Sequence, residues 1–313
     1  MSVSLHKAAR VLLPGALALL LVACGSVPTV LPPPQAESAV VVPSSPARPP
    51  RIGLALGGGA ARGFAHVGVI QVLEEAGLRP DLVVGTSAGS LVAALYASGR
   101  NGAQLQQVAE TMEEAAFTDW TLPIFSRGLL RGEALARYVN TQVGARQIQD
   151  MALPLGIVAT DLHSGQGVLF QRGDTGTAVR ASSAVPALFQ PVRIGAREYV
   201  DGGLISPVPV GYARQMGAEL VIAVDISAAP EGNSASDSLQ ILLQTFAIMA
   251  RSINRWELRD ADVLLRPALD GVGGADFGAR RRAIAAGRLA MQRALPQLRQ
   301  LMASRSRGTN NLP

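Results

Sequence analysis

Cysteine, lysine, histidine and aromatic residues are all scarce in this chain of 313 residues, and each scarcity removes a class of explanation. The single cysteine, Cys24, allows no disulfide within the chain, so the covalent staple common in exported domains is missing. Aromatic residues make up 4%, which disfavours a β-sandwich or a base-stacking platform. No basic stripe with interleaved aromatics occurs either, so nucleic acid is not an expected partner. Lys7 is the only lysine, and the remaining basic groups apart from histidine are arginines. Guanidinium binds phosphate bidentately and would suit phosphate head groups, although a compositional habit of the source genome is the simpler account. The three histidines are His6, His66 and His163. No His/Cys/Asp group has metal-ligand spacing, so no metal or other cofactor is expected. Charged residues reach only 16% and apolar residues 48%, enough apolar surface for a substantial core. The net charge is +5, or +3 once Lys7 and Arg10 are set aside with the leader. No internal repeat is evident.

The leader is residues 1–23: a positive start with His6, Lys7 and Arg10, then an apolar run from Val11 to Val22 that is too short to span a bilayer. This is the pattern of a secretory signal. Leu21-Val22-Ala23-Cys24 resembles the lipobox of bacterial lipoproteins, in which the cysteine carries acyl chains and becomes the mature N-terminus. An ordinary signal peptide with an incidental cysteine is the alternative. Stable anchoring needs more than one acyl chain, each buried methylene contributing about 0.8 kcal/mol. Gly25 stands where inner-membrane retention usually shows Asp, so the resemblance implies the outer membrane, facing the periplasm. Residues 24–50 hold eight prolines between Pro28 and Pro50 and read as a lipidated spacer, extended at about 3.1 Å per residue.

From Ile52 the patterning becomes that of a packed domain. Residues 52–56 predict a buried strand bounded by a Gly-rich loop, and 64–75 a helix ended by Gly77. A second strand over 82–84 runs into Gly85-Thr86-Ser87-Ala88-Gly89, followed by a helix from Ser90 to Ser98. Strand, loop, helix, strand, turn, helix is a parallel α/β layout. Further helices are expected over 104–116, 133–142, 239–258 and 279–302, and strands over 155–160, 168–171, 192–194, 198–200, 220–225 and 262–265. The last helix is rich in arginine; it either meets anionic lipid or, the commoner case, packs with a solvated face. One domain is expected over 51–304, with a loose tail over 305–313.

Gly-x-Ser-x-Gly between a buried strand and a helix is the context of a nucleophile elbow, with Gly85 and Gly89 permitting the tight turn that exposes Ser87. The loop Gly57-Gly58-Gly59-Ala60-Ala61-Arg62-Gly63 also lies between strand and helix, where free amides favour an anion. It suits either a dinucleotide, with Asp81 as the distal acid, or an oxyanion hole; the elbow downstream favours the second. A Ser-His-Asp triad in the usual hydrolase order would need a late histidine, and none follows His163. His66 is expected to pack or cap, and His163 to sit in a hairpin turn.

Five blocks then carry a family resemblance: Leu54-Ala-Leu-Gly-Gly-Gly-Ala-Ala-Arg-Gly-Phe-Ala-His-Val-Gly-Val69, Val84-Gly-Thr-Ser-Ala-Gly-Ser90, Ala159-Thr-Asp-Leu162, Arg180-Ala-Ser-Ser-Ala-Val-Pro186 and Val200-Asp-Gly-Gly203. Together, over about residues 52–215, they resemble patatin-like phospholipases, nearest to bacterial members similar to the catalytic domain of neuropathy target esterase. The resemblance implies a three-layer α/β hydrolase with a mainly parallel central sheet flanked by helices. It implies hydrolysis of lipid carboxylic esters, lysophospholipid or phospholipid, by a dyad in which Ser87 attacks and Asp201 accepts its proton. Gly202 and Gly203 complete the Asp-Gly-Gly motif. Gly58, Gly59 and Ala60 would form the oxyanion hole, with Arg62 steadying that loop or meeting phosphate. One position departs from the family pattern: Ala60 replaces the middle glycine, at a cost of about 1 kcal/mol if φ is positive there.

A degenerate, envelope-binding relative and a broader esterase or thioesterase are the rival readings. Asp161 is expected to order its turn, Asp225 to cap a helix, and Trp120 and Phe125 to lie in the core or at the rim of an acyl pocket.

Overall fold

Strands that are apolar without interruption need cover on both faces, and that requirement shapes the architecture. The computed structural model describes residues 48–113, 119, 127–227 and 236–308. The leader, Cys24, most of the spacer, Trp120 and Phe125 lie outside the described residues. In chain order the elements are β1 (Ile52–Leu56), α1 (Phe64–Glu75), β2 (Leu82–Thr86), α2 (Ala88–Ala97), α3 (Gly102–Thr111), β3 (Gly128–Leu130) and α4 (Glu133–Gln142). There follow β4 (Leu155–Asp161), β5 (Gly167–Phe170), α5 (Thr175–Ser182), β6 (Ala187–Phe189), β7 (Val192–Ile194), β8 (Arg197–Asp201) and α6 (Val210–Gln215). The last are β9 (Leu220–Val224), α7 (Ser238–Glu257), β10 (Val263–Leu265) and α8 (Arg280–Gly308).

The main sheet runs β10-β9-β1-β2-β4-β8-β7, with β5 also paired to β4. Its first five strands are parallel, and β5, β7 and β8 pair antiparallel. Side chains alternate between two cores. Leu54, Leu56, Val83, Ile157 and Ile222 join α1, α2 and α8 on one face, while Ala55, Val84, Val158 and Val221 meet α6 on the other. The fold is therefore α/β, with a mainly parallel sheet between helical layers.

Most expected elements appear within a few residues of their predicted limits. Four short ones do not follow from the patterning: α5, α6, and the pair β3 and β6, which form a separate two-stranded parallel sheet. α3 starts earlier than predicted because the Asn101 side chain accepts the Gln104 N–H in a capping box, and it ends at Thr111.

α8 is a packed helix. A Cβ on Gly287 would lie 1.9 Å from the Ala65 carbonyl oxygen, so α8 and α1 touch backbone to backbone. Several of its arginines are engaged with protein: Arg288 pairs with Glu75 at 2.7 Å, Arg280 donates to the Glu110 carbonyl at 2.7 Å, and Arg305 pairs with Asp262. The helix runs on to Gly308, past the predicted end of the domain at residue 304.

Candidate active site

β2 ends at Thr86 and α2 begins at Ala88, so Ser87 alone turns the chain, at φ 52° and ψ −124°. A positive φ at a side-chain-bearing residue costs of the order of 1–3 kcal/mol and persists only where its surroundings enforce it. Here the Ser87 N–H donates to Ser182 Oγ at 2.8 Å, and the Ser87 carbonyl accepts from the Ser90 hydroxyl at 2.6 Å. Ser182 in turn donates to the Val158 carbonyl at 2.6 Å, tying the turn to β4. A Cβ on Gly89 would lie 2.1 Å from the Leu56 carbonyl oxygen, and one on Gly85 2.4 Å from that of Gly89. Strand, turn and helix close only with glycine at both positions.

Sheet register brings Asp201 to the same place. Thr86 pairs with Val158 on β4, and the next β4 residue, Ala159, pairs with Asp201 on β8. β8 therefore delivers Asp201 just beyond the end of β2, where Ser87 sits. Gly202 follows because a Cβ there would lie 2.2 Å from the Val158 carbonyl oxygen. Asp201 is buried, with 7% of the residue exposed, and its Oδ1 accepts the Gly203 N–H at 2.7 Å. Burial pushes its pKa up to about 6, against the opposing pull of the Gly203 N–H and the Ser87 hydroxyl.

The glycine loop lies over this pair; a Cβ on Gly58 would meet Ser87 Cβ at 3.1 Å. Its amides are not equivalent. The Gly58 N–H is committed to the Pro207 carbonyl at 2.9 Å, so Gly58 is removed from the expected set of oxyanion donors. The Ala61 N–H goes to Gly274 and the Arg62 N–H to Gly59. The amides of Gly59 and Ala60 remain, without an acceptor among the described residues. Ala60 has φ 51°, so the departure from glycine falls at a position that does need the left-handed region.

Neither histidine of the described residues is at hand. His66 is wholly buried beneath the loop, with Nε2 2.8 Å from the Gly57 carbonyl. A carbonyl only accepts, so Nε2 carries the hydrogen, and burial lowers the His66 pKa to about 4, leaving a neutral ring. His163 sits in the β4–β5 turn, where its N–H and that of Ser164 donate to Asp161 Oδ1 at 2.9 and 3.0 Å. Those amides and Arg197, at 2.8 Å, hold the Asp161 pKa down to about 2, so Asp161 is a turn organiser.

Residues 54–214, half of the chain, match the family model of patatin-like phospholipases. The chain belongs to that family. It is 35% identical over 204 residues to an uncharacterized NTE family protein of Mycobacterium tuberculosis, an alignment covering 65% of this chain and 56% of the relative. It is 36% identical over 188 residues to patatin-like phospholipase domain-containing protein 6 of Homo sapiens, covering 58% of this chain and 14% of that protein. The chain thus spans about half the length of the first of these relatives and a small part of the second. Among solved structures, VipD of Legionella pneumophila superposes with a TM-score of 0.53 at 15% identity, over 80% of this chain and 67% of that one. That likeness is one of fold.

In this patatin-like domain Ser87, Asp201 and the loop from Gly58 to Arg62 line a cleft of about 950 Å³. Neither His66 nor His163 is among its lining residues. The walls are mainly apolar and include Leu91, Leu95, Val108, Met112, Phe189 and Phe246 of α7. A ligand with a long acyl chain fits such a lining.

Three supporting residues escaped sequence reasoning. Ser182 lies in a block noted for its resemblance, but nothing local shows that it holds the elbow. Ser206 and Glu257 form the other support. The Ser206 hydroxyl donates to Glu257, the Ser206 carbonyl accepts from the Thr86 hydroxyl at 2.8 Å, and burial raises the Glu257 pKa to about 7. Asp225 caps no helix: it accepts the Ser227 N–H at 3.1 Å and pairs with Arg266 at 3.3 Å. Asp81, the distal acid of the dinucleotide reading, accepts the Ile52 N–H at 2.6 Å and is structural.

Proposed function

We propose that the protein is a serine hydrolase cleaving carboxylic esters of lipids, lysophospholipid or phospholipid, through a Ser87–Asp201 dyad. The observation that carries this reading is Ser87 held at positive φ in an apolar cleft, with the buried Asp201 carboxylate beside it. Ser87 Oγ attacks the ester carbonyl as its proton passes to Asp201. The carbonyl oxygen becomes an oxyanion, received by the Gly59 and Ala60 amides, each such donor being worth about 3 kcal/mol. Asp201 returns the proton to the leaving alcohol, and water, deprotonated by the same carboxylate, releases the fatty acid. An intact serine, acid and loop argue against a degenerate binding protein.

Lipid as substrate has a second support. The outer side of α7 exposes Ile241, Ile248, Met249 and Trp256, while its inner side lines the cleft. Such a face suits an interface between lipid and water. Incubating the purified protein with a lysophospholipid panel and p-nitrophenyl esters of graded chain length should release fatty acid fastest from long-chain lipid, with EDTA leaving the rate intact. Preference for short soluble esters would make it a general esterase, and inactivity on all of them a binding protein.

Attachment through an acylated Cys24, on the outer membrane facing the periplasm, is part of the same proposal. In a bacterial host, radioactive palmitate should label the full-length protein and not Cys24→Ala. Undiminished label in that variant refutes the anchor.

A further inference from the structure

α7 walls the active-site cleft with Leu243, Phe246, Ala247 and Ala250, yet of its 20 residues only Asn254 is buried. Near its C-terminus two polar contacts join it to loops of the domain. The Asn254 side-chain amide donates to Ser227 Oγ at 3.1 Å, and Glu257 accepts the Ser206 hydroxyl.

The second contact reaches the catalytic parts through the backbone. The Ser206 N–H donates to the Gly202 carbonyl at 2.9 Å, one residue past Asp201. The Ser206 carbonyl accepts the Thr86 hydroxyl at 2.8 Å, one residue before Ser87. The next carbonyl, that of Pro207, accepts the Gly58 N–H at 2.9 Å, and the amides of Gly59 and Ala60 follow directly. One dipeptide thus touches the segments that carry the base, the nucleophile and the oxyanion donors. Glu257 grips that dipeptide from α7.

A carboxyl is a costly choice for this place. Burial pushes the Glu257 pKa up to about 7, against the pull of the Ser206 hydroxyl, whereas an apolar side chain would carry no such penalty. Neither Ser206 nor Glu257 is among the residues lining the cleft, so neither supplies a contact to substrate. Glu257 also lies beyond residues 54–214, the part matched by the family model. What it can supply is placement, since a displacement of about 1 Å at the reacting groups costs on the order of a hundredfold in rate.

We infer that Glu257 is a positioning residue, holding the Ser206 and Pro207 carbonyls, and through them the elbow and the glycine loop, at the spacing that attack requires. The inference rests on the hydrolase reading above and deepens it, because α7 becomes part of the catalytic frame as well as a wall of the cleft.

The test uses the full-length protein and a p-nitrophenyl ester. Glu257→Ala and Ser206→Ala should each lower kcat about tenfold, the loss expected for one charge-assisted hydrogen bond, and leave KM within about twofold. The double variant should be no slower than either single one, because both remove the same contact. Glu257→Gln keeps an acceptor for the Ser206 hydroxyl and should recover most of the lost kcat. Additive losses, a loss expressed in KM, or a glutamine variant as slow as the alanine one would overturn the inference. So would an unchanged kcat in Ser206→Ala, the milder substitution, which decides the matter if Glu257→Ala does not fold.

Hydrogen exchange read by mass spectrometry gives a second answer that needs no turnover. Over residues 57–63 and 82–90 both alanine variants should exchange about tenfold faster than the wild type, with α4 unchanged. Uniformly faster exchange marks general destabilisation and no difference marks an absent link; either result defeats the inference. If the wild type hydrolysed no ester, the function proposed above would fail on its own, and exchange would still decide whether Glu257 holds the glycine loop.

Discussion

Asp201→Asn is expected to lower kcat/KM on every ester by about a thousandfold, the usual range for loss of a general base, while making the folded protein more stable above pH 6. The two effects share one cause. Burial raises the Asp201 pKa to about 6, so folding favours its protonated form. The stabilising contribution is complete below the unfolded value near 3.8 and is lost as pH rises through about 6. At pH 8 the ionised carboxylate costs of the order of 3 kcal/mol relative to the protonated one. Asparagine removes that charge and preserves the shape and the acceptor for the Gly203 N–H. Denaturant unfolding of wild type and variant should therefore diverge between about pH 4 and 6, with the variant more stable, stay separated by a constant amount from about pH 6.5 to 8, and converge below pH 4. The wild-type kcat/KM should fall about tenfold per pH unit below 6 as the base is protonated. A variant that keeps its turnover, or a rate that stays flat down to pH 4.5, would remove Asp201 from the role of base.

The contrast between Ser87→Ala and the two histidine variants has the other large expected effect. A fluorophosphonate should label the wild type stoichiometrically, and Ser87→Ala should show no label and no measurable turnover. His66→Gln and His163→Gln should both keep most of their activity. Glutamine can still donate from its side-chain amide to the Gly57 carbonyl, the contact that His66 Nε2 now makes at 2.8 Å. His163 contributes its backbone N–H to the Asp161 turn, and that amide survives the substitution. If a folded His163→Gln protein lost three orders of magnitude in kcat, the dyad would have to be replaced by a triad.

Much of the fold was legible in the sequence because its strands and helices are locally marked. Ile52–Leu56 and Leu220–Val224 are apolar throughout, as parallel strands covered on both faces must be. The elbow was equally plain, since its Gly-x-Ser-x-Gly pattern lies within five residues of chain, although the demand for glycine at Gly89 comes from the distant Leu56 carbonyl. Asp201 drew notice only through the resemblance of its Asp-Gly-Gly motif, and no local pattern says that it stands next to Ser87. That neighbourhood is a matter of register, Thr86 with Val158 and Ala159 with Asp201, which fixes β8 where β2 ends.

By itself, then, the sequence determined the family, the α/β class, the elbow at Ser87 and the glycine loop, because each depends on residues close together in the chain. Tertiary structure alone decided which loop amides are available. Gly58 loses its N–H to Pro207, a residue far along the chain, while Gly59 and Ala60 keep theirs. It also decided the fate of the arginines: Arg288 pairs with Glu75, Arg305 with Asp262 and Arg266 with Asp225, each across a long stretch of chain. Composition shows only that arginine is plentiful. Whether a guanidinium meets a carboxylate or a cavity depends on which distant segments packing brings against it, and Coulomb energy and desolvation act on that distance rather than on separation along the chain.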